Sequence, residues 1–215
     1  MSGIITRLTY QKKRKNRVNI FLDGAYAFSL PDVQAAQLSI GQHLDDAEIS
    51  RLQAQDQRQQ AMDKALRLLA RRPRSCHEID VALSQKDYDV DVREQVIARL
   101  KEMDYLDDEE FARWWVKNRV EFNPRSIRSL QQELRQKGIA PEIISQILAQ
   151  LDDDALAVAA GSQRAYRWQH LSQEDFFKKM LAYLQRRGFS YTSARQAAEH
   201  LWQQEQFQSA DYDKD

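Results

Sequence analysis

The side chains in this sequence with the clearest capacity for chemistry are clustered cations. They recur beside two prolines, at the ends of two predicted helices and in one loop near the amino terminus. The clusters are Arg71, Arg72 and Arg74; Arg125 and Arg128; Arg135 and Lys137; Arg186 and Arg187; and Lys12, Lys13, Arg14, Lys15 and Arg17. Guanidinium and ammonium groups bind phosphates and carboxylates through charge-assisted hydrogen bonds. The clusters therefore predict a negatively charged partner, with the DNA phosphate backbone among the candidates.

Helix electrostatics offers a second explanation for some of these cations. A cation at the carboxyl-terminal end of a helix, such as Arg135 or Arg186, is favoured by the helix dipole, so a purely structural role stays open there. A cation just before a helix amino terminus, such as Arg74 or Arg125, opposes the same dipole. Because this unfavourable charge is repeated, an acidic or polyanionic partner explains it better. For the loop from 12 to 17, contact with phosphate and a role in solubility are both open.

Other kinds of reactive site have little support. The four histidines lie at no spacing that would ligate a metal together with Cys76. The six glycines form no glycine-rich loop that could cradle a phosphate. The run Asp107–Glu110 could hold a divalent ion, but it stands where a helix should begin, and carboxylates are favoured at that end of a helix. We predict no catalytic residue, no metal site and no cofactor.

The cations outside the amino-terminal loop belong to a sequence motif of about fifty residues that occurs three times along the chain. Leu83, Leu134 and Leu184 begin similar segments, with offsets of 51 and 50 residues. Other apolar residues recur around them as Ile79, Leu130 and Met180; Val96, Ile147 and Ala197; and Leu100, Leu151 and Leu201. Spacings of four residues place side chains on one helix face, and a period of about fifty residues is typical of a tandem helical array. We expect Leu83, Leu100, Leu134 and Leu151 to be buried in equivalent positions of successive three-helix units.

Capping residues predict where the helices of each unit begin and end. The predicted starts are Ser75 with Glu78, Asp91 with Glu94, Ser126, Pro141, and Ser172 with Asp175. A Ser or Asp followed three residues later by an acidic residue is the pattern of a capping box. Gly138 and Gly188 are the predicted stops, because glycine adopts the left-handed conformation after a helix at little cost. Each unit is therefore interpreted as two helices, a turn and a third helix.

The first thirty residues predict a small antiparallel sheet. Val18–Leu22 and Tyr26–Leu30 alternate in character on either side of Asp23-Gly24, a pair typical of two-residue hairpin turns. The run Ile4–Tyr10 supplies a third strand, which a stable sheet needs. The basic loop between the first two strands should then project into solvent, with Arg17 as its last cation.

Two helices are predicted between the sheet and the repeats. A short one should run from Pro31-Asp32 to near Gly41. A longer one should begin near residue 46, where Asp45 and Glu48 form a capping box, and continue to about Arg71. Its segment from 51 to 60 is polar on nearly all sides, so we interpret it as an exposed rod in which a break is conceivable.

The overall composition bounds the class of protein. The 215 residues include 32 basic and 32 acidic side chains, so the formal net charge is zero. This argues against a protein that coats nucleic acid through net charge alone. Cys76 is the single cysteine and fits a reducing compartment. Because no apolar run is long enough to span a membrane and no signal peptide is recognisable, we expect a cytoplasmic protein.

The stretch from Leu69 to Leu151 resembles the RecX family, which regulates the recombinase RecA. The resemblance is carried by the segments Arg72-Pro73-Arg74-Ser75, Leu106-Asp107-Asp108-Glu109-Glu110-Phe111-Ala112 with Arg119, and Leu134-Arg135-Gln136-Lys137-Gly138-Ile139. The third repeat matches more loosely, and the amino-terminal sheet is similar to an extension found in some members. One departure is Pro124-Arg125-Ser126, where a glycine near the turn is more usual.

The resemblance implies a mostly α fold, with tandem three-helix repeats in an elongated curved array behind a small β-sheet. It also implies a non-enzymatic regulator that binds the RecA–DNA filament and mainly inhibits its ATPase and strand exchange, in recombination, DNA repair and the SOS response. Contact with the DNA phosphate backbone would be secondary, and the expected form is a monomer.

The predicted domains are 1–44 for the sheet and short helix, 45–106 for the linker helix and first repeat, 107–154 and 155–207 for the second and third repeats, and 208–215 for an acidic tail. The alternative function is a stand-alone helical-repeat protein that binds single- or double-stranded DNA. An enzyme would require a metal ion at Asp107–Glu110.

Overall fold

The computed structural model describes residues 2–12 and 16–212, with side chains described as far as residue 204. The strands are β1 (Gly3–Tyr10), β2 (Arg17–Leu22), β3 (Ala25–Pro31) and β4 (His43–Leu44). The helices are α1 (Asp32–Ala35), α2 (Asp46–Leu69), α3 (Cys76–Ser84), α4 (Val90–Glu102), α5 (Asp108–Phe122), α6 (Ile127–Gln136), α7 (Pro141–Leu148), α8 (Asp153–Ala165), α9 (Gln173–Arg186) and α10 (Tyr191–Tyr212). The mostly helical fold with a small amino-terminal sheet is therefore confirmed. Lys13, Arg14 and Lys15, and Asp213 to Asp215 of the acidic tail, lie outside the described residues.

The chain divides into two compact units. The first contains Met1–Arg72 and Ile79–Tyr105, and the second contains Pro73–Glu78 and Leu106–Asp215. The division falls inside α3, so the first turn of that helix is counted with the second unit. Among the described residues, no helix has the length and apolar character needed to cross a membrane.

The sheet of the first unit is antiparallel with strand order β3-β2-β1-β4. Asp23 and Gly24 both have positive φ, 48° and 86°, and connect β2 to β3 in the predicted two-residue turn. The sequence did not predict β4, whose two residues pair with Gly3 and Ile4. The buried side of the sheet is apolar and packs beneath the start of α2; its fully buried members include Ile5, Ile20, Leu30 and Leu44.

Of the two connecting helices, the first differs from its prediction and the second largely follows it. The short helix α1 spans four residues and ends at Ala35, well before Gly41. The long helix α2 begins at the predicted Asp45–Glu48 capping box and runs without a break for 24 residues. Its polar segment from 51 to 60 is mostly exposed, as predicted, but Asp56 within it is only 6% exposed. The polar sequence gives no sign that Asp56 is buried, because its charge is paired with another buried side chain.

The repeats form three-helix groups: the end of α2 with α3 and α4, then α5 to α7, then α8 to α10. Leu83, Leu100 and Leu134 are fully buried, as predicted. The prediction for Leu151 is wrong, since it is only partly buried. Helix α7 ends at Leu148, so Leu151 lies beyond it, and the buried turn of α7 consists of Ile144, Ile147 and Leu148.

Most predicted caps are confirmed. Ser75, Ser126 and Ser172 each accept a hydrogen bond from the backbone N–H three residues later. Gly138 and Gly188 follow α6 and α9 with φ of 74° and 92°. The prediction for Asp91 is wrong, because α4 begins at Val90 and Asp91 lies within its first turn. The equivalent turn before α4 uses Asp87, with φ of 59°.

Candidate functional site

The first turns of α3 and α6 each form hydrogen bonds to a more distant segment of the second unit, and we call these two contact regions joints. In the first joint, the Ser75 hydroxyl donates to the carbonyl of Lys137 at 2.7 Å, and the Cys76 N–H donates to Asp108 at 2.8 Å. In the second, Ser129 donates to the carbonyl of Arg187 at 3.1 Å. These hydrogen bonds hold the backbone segments that carry the predicted cations.

The second joint repeats the pattern of the first. The N–H of Ser126 donates to the Arg187 carbonyl at 3.2 Å, and the N–H of Ile127 donates to Asp153 at 2.7 Å. The start of one helix thus rests on the end of a helix about one repeat further along the chain. The start of α3 therefore lies beside the end of α6, and the start of α6 lies beside the end of α9, although each pair is far apart in sequence.

Several predicted cations are engaged by groups of the second unit itself. Lys137 pairs with Glu78, and its ammonium lies 4.9 Å from the centre of the Trp115 ring. The Arg187 guanidinium donates to the side chain of Asn123 and to the carbonyl of Pro124, the latter at 2.9 Å. These interactions give both residues a structural role, so the helix-end explanation holds at least in part.

Arg125 is also held internally, through Glu133. The Arg125 Nε lies 3.2 Å from a Glu133 carboxylate oxygen, and the second oxygen accepts hydrogen bonds from Arg119 and Trp115 at 2.8 Å. The Arg119 guanidinium stacks on the Trp115 ring, 4.6 Å from its centre. A half-buried carboxylate therefore offsets the charge that the sequence alone presents as unfavourable before α6.

The prediction that Arg17 projects into solvent is wrong. Arg17 is 9% exposed, and its guanidinium donates two hydrogen bonds to Asp56, at 2.9 and 2.7 Å. The Asp56 hydrogen bond raises the pKa of Arg17. A third interaction, with the carbonyl of Ser29 at 2.8 Å, completes its surroundings. Arg17 is a residue of the core of the first unit, since strand β2 begins there and points it towards α2.

The remaining predicted cations differ in exposure. Lys12, Arg71, Arg128, Arg135 and Arg186 are exposed, whereas Arg72 and Arg74 are half-buried. Arg128 and Arg135 are seven residues apart on α6, which is two helical turns, so they share its exposed face. The exposed residues remain the candidates for contact with a partner.

One cavity of about 440 Å³ brings together cations from different predicted groups. It is lined by Arg125 from the turn before α6 and by Arg186 and Arg187 from the end of α9. Two further arginines were not predicted from the sequence: Arg164, near the end of α8, and Arg167, in the turn that follows it. A signal was present, because no acidic residue occurs from 155 to 173 in a chain with 32 of them.

The acidic run Asp107–Glu110 has the structural role that the sequence suggests. Asp107 caps α5 by accepting from the N–H groups of Glu109 and Glu110, at 2.7 and 3.1 Å. Asp108 accepts from Cys76 in the first joint. Within residues 2–12 and 16–204, no group of three or more His, Cys, Asp or Glu side chains is placed to hold a metal ion.

Three family models match successive parts of the chain. They are the regulatory protein RecX N-terminal domain at residues 3–45, the first RecX three-helix domain at 61–100 and the second at 107–148. The matches follow the order of the sheet, the helices around α3 and the group α5 to α7.

Curated relatives carry the name "Regulatory protein RecX". The Bacillus subtilis protein is 35% identical over 192 residues, which span 87% of this chain and 73% of that protein. The Lacticaseibacillus paracasei protein is 28% identical over 90% of this chain and 82% of its own length. The Listeria monocytogenes protein is 34% identical over 153 residues, but the chain spans only 57% of its length.

Solved structures have a similar fold. A crystal structure of regulatory protein RecX aligns over 92% of this chain and 99% of that one, with a TM-score of 0.61 and 26% identity. RecX from Lactobacillus salivarius aligns over 68% of this chain with a TM-score of 0.56, and at 22% identity it supports the fold alone. Taken with the three matched domains and the Bacillus subtilis relative, these likenesses show that the chain belongs to the RecX family of regulatory proteins.

Proposed function

We propose that this protein is a non-enzymatic regulator that binds the RecA–DNA filament and mainly inhibits its ATPase and strand exchange. The observation that carries the proposal is the match of three RecX domain models, in order, over residues 3–148. The family resemblance supplies RecA as the partner. The protein would act in recombination and DNA repair in the cytoplasm, as a monomer.

The exposed face of α6 is the best candidate for contact with the filament. Among the described residues, Arg128 and Arg135 on this face form no ion pair, unlike Arg125 and Lys137, which pair with Glu133 and Glu78. Exposed arginines are well suited to carboxylates and phosphates, because their planar fork binds both in a bidentate manner. The domain boundaries predicted above for the repeats place this face in the second repeat.

A titration of the purified protein into RecA filaments on single-stranded DNA tests the proposal. We expect the rate of ATP hydrolysis to fall as the protein is added, and the variant Arg128→Glu/Arg135→Glu to require a much higher concentration for the same effect. The control is Lys178→Glu/Lys179→Glu, which makes the same change of charge on the exposed side of α9. An ATPase rate that is unchanged at a micromolar excess of the wild-type protein contradicts the proposal.

A stand-alone DNA-binding role is the second candidate, and the arginine-lined cavity favours it. The two roles differ in what the protein binds when RecA is absent. Tight binding to bare DNA that falls steeply with salt supports the second role. Weak binding to bare DNA, together with strong binding to filaments, supports the first.

A further inference from the structure

The cavity at the ends of α8 and α9 is unusual in its charge. Five of its lining residues are arginines: Arg125, Arg164, Arg167, Arg186 and Arg187. The other two are Trp168 and Tyr183, so no carboxylate lines it. Like charges this close repel one another, and the surrounding protein screens that repulsion less than water does. A cluster of this kind therefore favours an anion in the cavity.

Interactions within the second unit neutralise little of this charge. Among the described residues, Arg125 is the one member with an ion pair, to Glu133 at 3.2 Å. Arg164 and Arg187 instead lie against the Tyr183 ring, 5.8 and 4.7 Å from its centre. These aromatic contacts, and the hydrogen bonds of Arg187 to the Asn123 side chain and the Pro124 carbonyl, hold the two guanidinium groups in place, but none of these partners carries a negative charge.

The helix dipoles do not account for the cluster. The helix dipoles of α8 and α9 favour cations at their carboxyl-terminal ends only modestly. That effect explains a cation at each helix end, such as Arg164 and Arg186. It does not explain why Arg167, from the turn after α8, lines the same space; Arg125 lines it while pairing with Glu133.

The aromatic residues add two features that point to a ligand. Tyr183 is 8% exposed, and its hydroxyl has no hydrogen-bond partner among the described residues. Such a buried group is normally satisfied, by protein, water or a ligand. Trp168 meets the Tyr183 ring edge-on at 5.9 Å and stays half-buried, so part of its indole remains available for stacking.

We propose that this cavity binds the phosphate of a nucleotide unit, with the base of that unit packed against Trp168. Arg167 and Arg186 are the exposed phosphate ligands, and Arg164 and Arg187 are positioned behind them by Tyr183. The cavity volume of about 440 Å³ suits a ligand of this size. The site deepens the DNA contact that both candidate functions share, and rests on it for the choice of single-stranded DNA as the expected source of the nucleotide.

The test measures binding by the wild-type protein, without RecA, to a fluorescein-labelled oligothymidylate. The variant Arg167→Gln/Arg186→Gln removes two exposed guanidinium groups, and we expect the Kd to rise about tenfold or more. The slope of log Kd against log salt should fall by about 0.7 for each lost phosphate contact. Arg51→Gln/Lys101→Gln is the matched control, because it removes the same charge from exposed positions of the first unit, outside the cavity. An equal loss of affinity in the two variants would overturn the proposal.

Tryptophan fluorescence locates the base. The chain has four tryptophans, and we expect the oligonucleotide to quench part of their emission in the wild type and much less in Trp168→Phe. Equal quenching by the two proteins would place the base elsewhere and overturn the site. So would undiminished binding of an oligomer with an uncharged backbone, since phosphate is the group that the arginines recognise.

Competition distinguishes the possible sources of the phosphate. Displacement by excess unlabelled oligothymidylate and not by thymidine monophosphate identifies a nucleic-acid chain. Displacement by thymidine monophosphate at similar concentrations identifies a free nucleotide in the same site. Binding of a fluorescein-labelled polyglutamate peptide that is lost in Arg167→Gln/Arg186→Gln, with no binding of either nucleotide ligand, would overturn the proposal in favour of an acidic protein. Because RecA is absent, failure here is separate from an unchanged ATPase rate, which would instead contradict the proposed function.

Discussion

At the scale of single residues, the two turn glycines are required by a close approach as well as by φ. A methyl group on Gly138 would overlap the Cβ of His77, and one on Gly188 would overlap the hydroxyls of Ser126 and Ser129. Asp87 occupies the corresponding turn of the first repeat with φ of 59°, so the left-handed conformation alone tolerates a side chain. At the joints, glycine is needed because it leaves space for the first turn of α3 against Gly138 and for that of α6 against Gly188.

The variant Gly138→Ala tests this reason. We expect it to lower the free energy of unfolding by more than the strain of a left-handed alanine, about 1–2 kcal/mol. Gly41→Ala is the control, because Gly41 has φ of 91° but nothing within 4 Å of an added Cβ. Urea unfolding followed by circular dichroism measures both. Equal losses of stability would mean that φ alone explains the glycine and that His77 moves aside freely.

The sequence could identify individual residues where the reason was local. The glycine stops, the serine caps and the Asp23-Gly24 turn each depend on a few neighbouring residues, and the structure has all of them. Arg17 could not be assigned correctly, because its partner Asp56 is 39 residues away on a helix segment that reads as exposed. Arg164 and Arg167 were missed for a similar reason, since their relation to Arg125 and Arg186 exists only after folding.

At the scale of elements, the Arg17–Asp56 pair connects strand β2 to helix α2 inside the first unit. Asp56 also accepts a hydrogen bond from Gln60 at 2.8 Å, one turn further along α2. Both ends of the pair are therefore hydrogen-bonded and almost completely shielded from water. Breaking a buried pair of this kind leaves one charge without compensation, which costs more than removing both charges.

We expect Asp56→Ala to destabilise the first unit by about 3–5 kcal/mol, because it leaves the Arg17 guanidinium buried and unpaired. The double variant Arg17→Met/Asp56→Leu should recover most of that loss. Gln57→Ala, at an exposed neighbouring position of α2, serves as the control and should change stability by no more than about 0.5 kcal/mol. Thermal unfolding of the three variants measures the difference. A loss for Asp56→Ala as small as that of Gln57→Ala would show that water reaches the pair.

Whole elements were predictable to the extent that their residues form a continuous pattern. The alternation in β2 and β3 and the apolar spacing in α6 and α9 gave the correct structures. Leu151 failed because the repeat period continues in the sequence after α7 has ended at Leu148. Strand β4 had too little pattern, since two residues pair only because β1 offers them an edge.

At the scale of the whole molecule, the repeat in the sequence and the compact unit in space do not coincide. The turn before α3 is counted with the second unit, because Ser75, Cys76 and Glu78 bind Lys137 and Asp108 there. The three-helix domain matched at 107–148 therefore lacks part of its own packing. A domain boundary placed between the first and second repeats would therefore separate residues that are hydrogen-bonded to each other in the first joint.

Fragments of the chain test that conclusion. We expect fragment 73–215 to unfold at a higher temperature than fragment 106–215, since it keeps two hydrogen bonds of the first joint and the Lys137 ion pair. The hydrogen bonds alone predict a difference of about 2 kcal/mol. Fragment 79–215 is the control, as it retains the residues up to 105 but not the joint, and it should resemble fragment 106–215. If fragments 79–215 and 73–215 are equally stable, the joint contributes little.

The joints also affect the order in which parts of the protein can fold during synthesis. Ser75 and the carbonyl of Lys137 are separated by 62 residues, and Ser129 and the carbonyl of Arg187 by 58. At a synthesis rate of about 5–20 residues per second, each serine is in place about 3–12 seconds before its partner has been made. The sheet and α4, by contrast, need nothing beyond residue 105. In a nascent chain, the first unit can therefore be complete while the start of α3 is still exposed to water, because the end of α6 that covers it has not yet been synthesised.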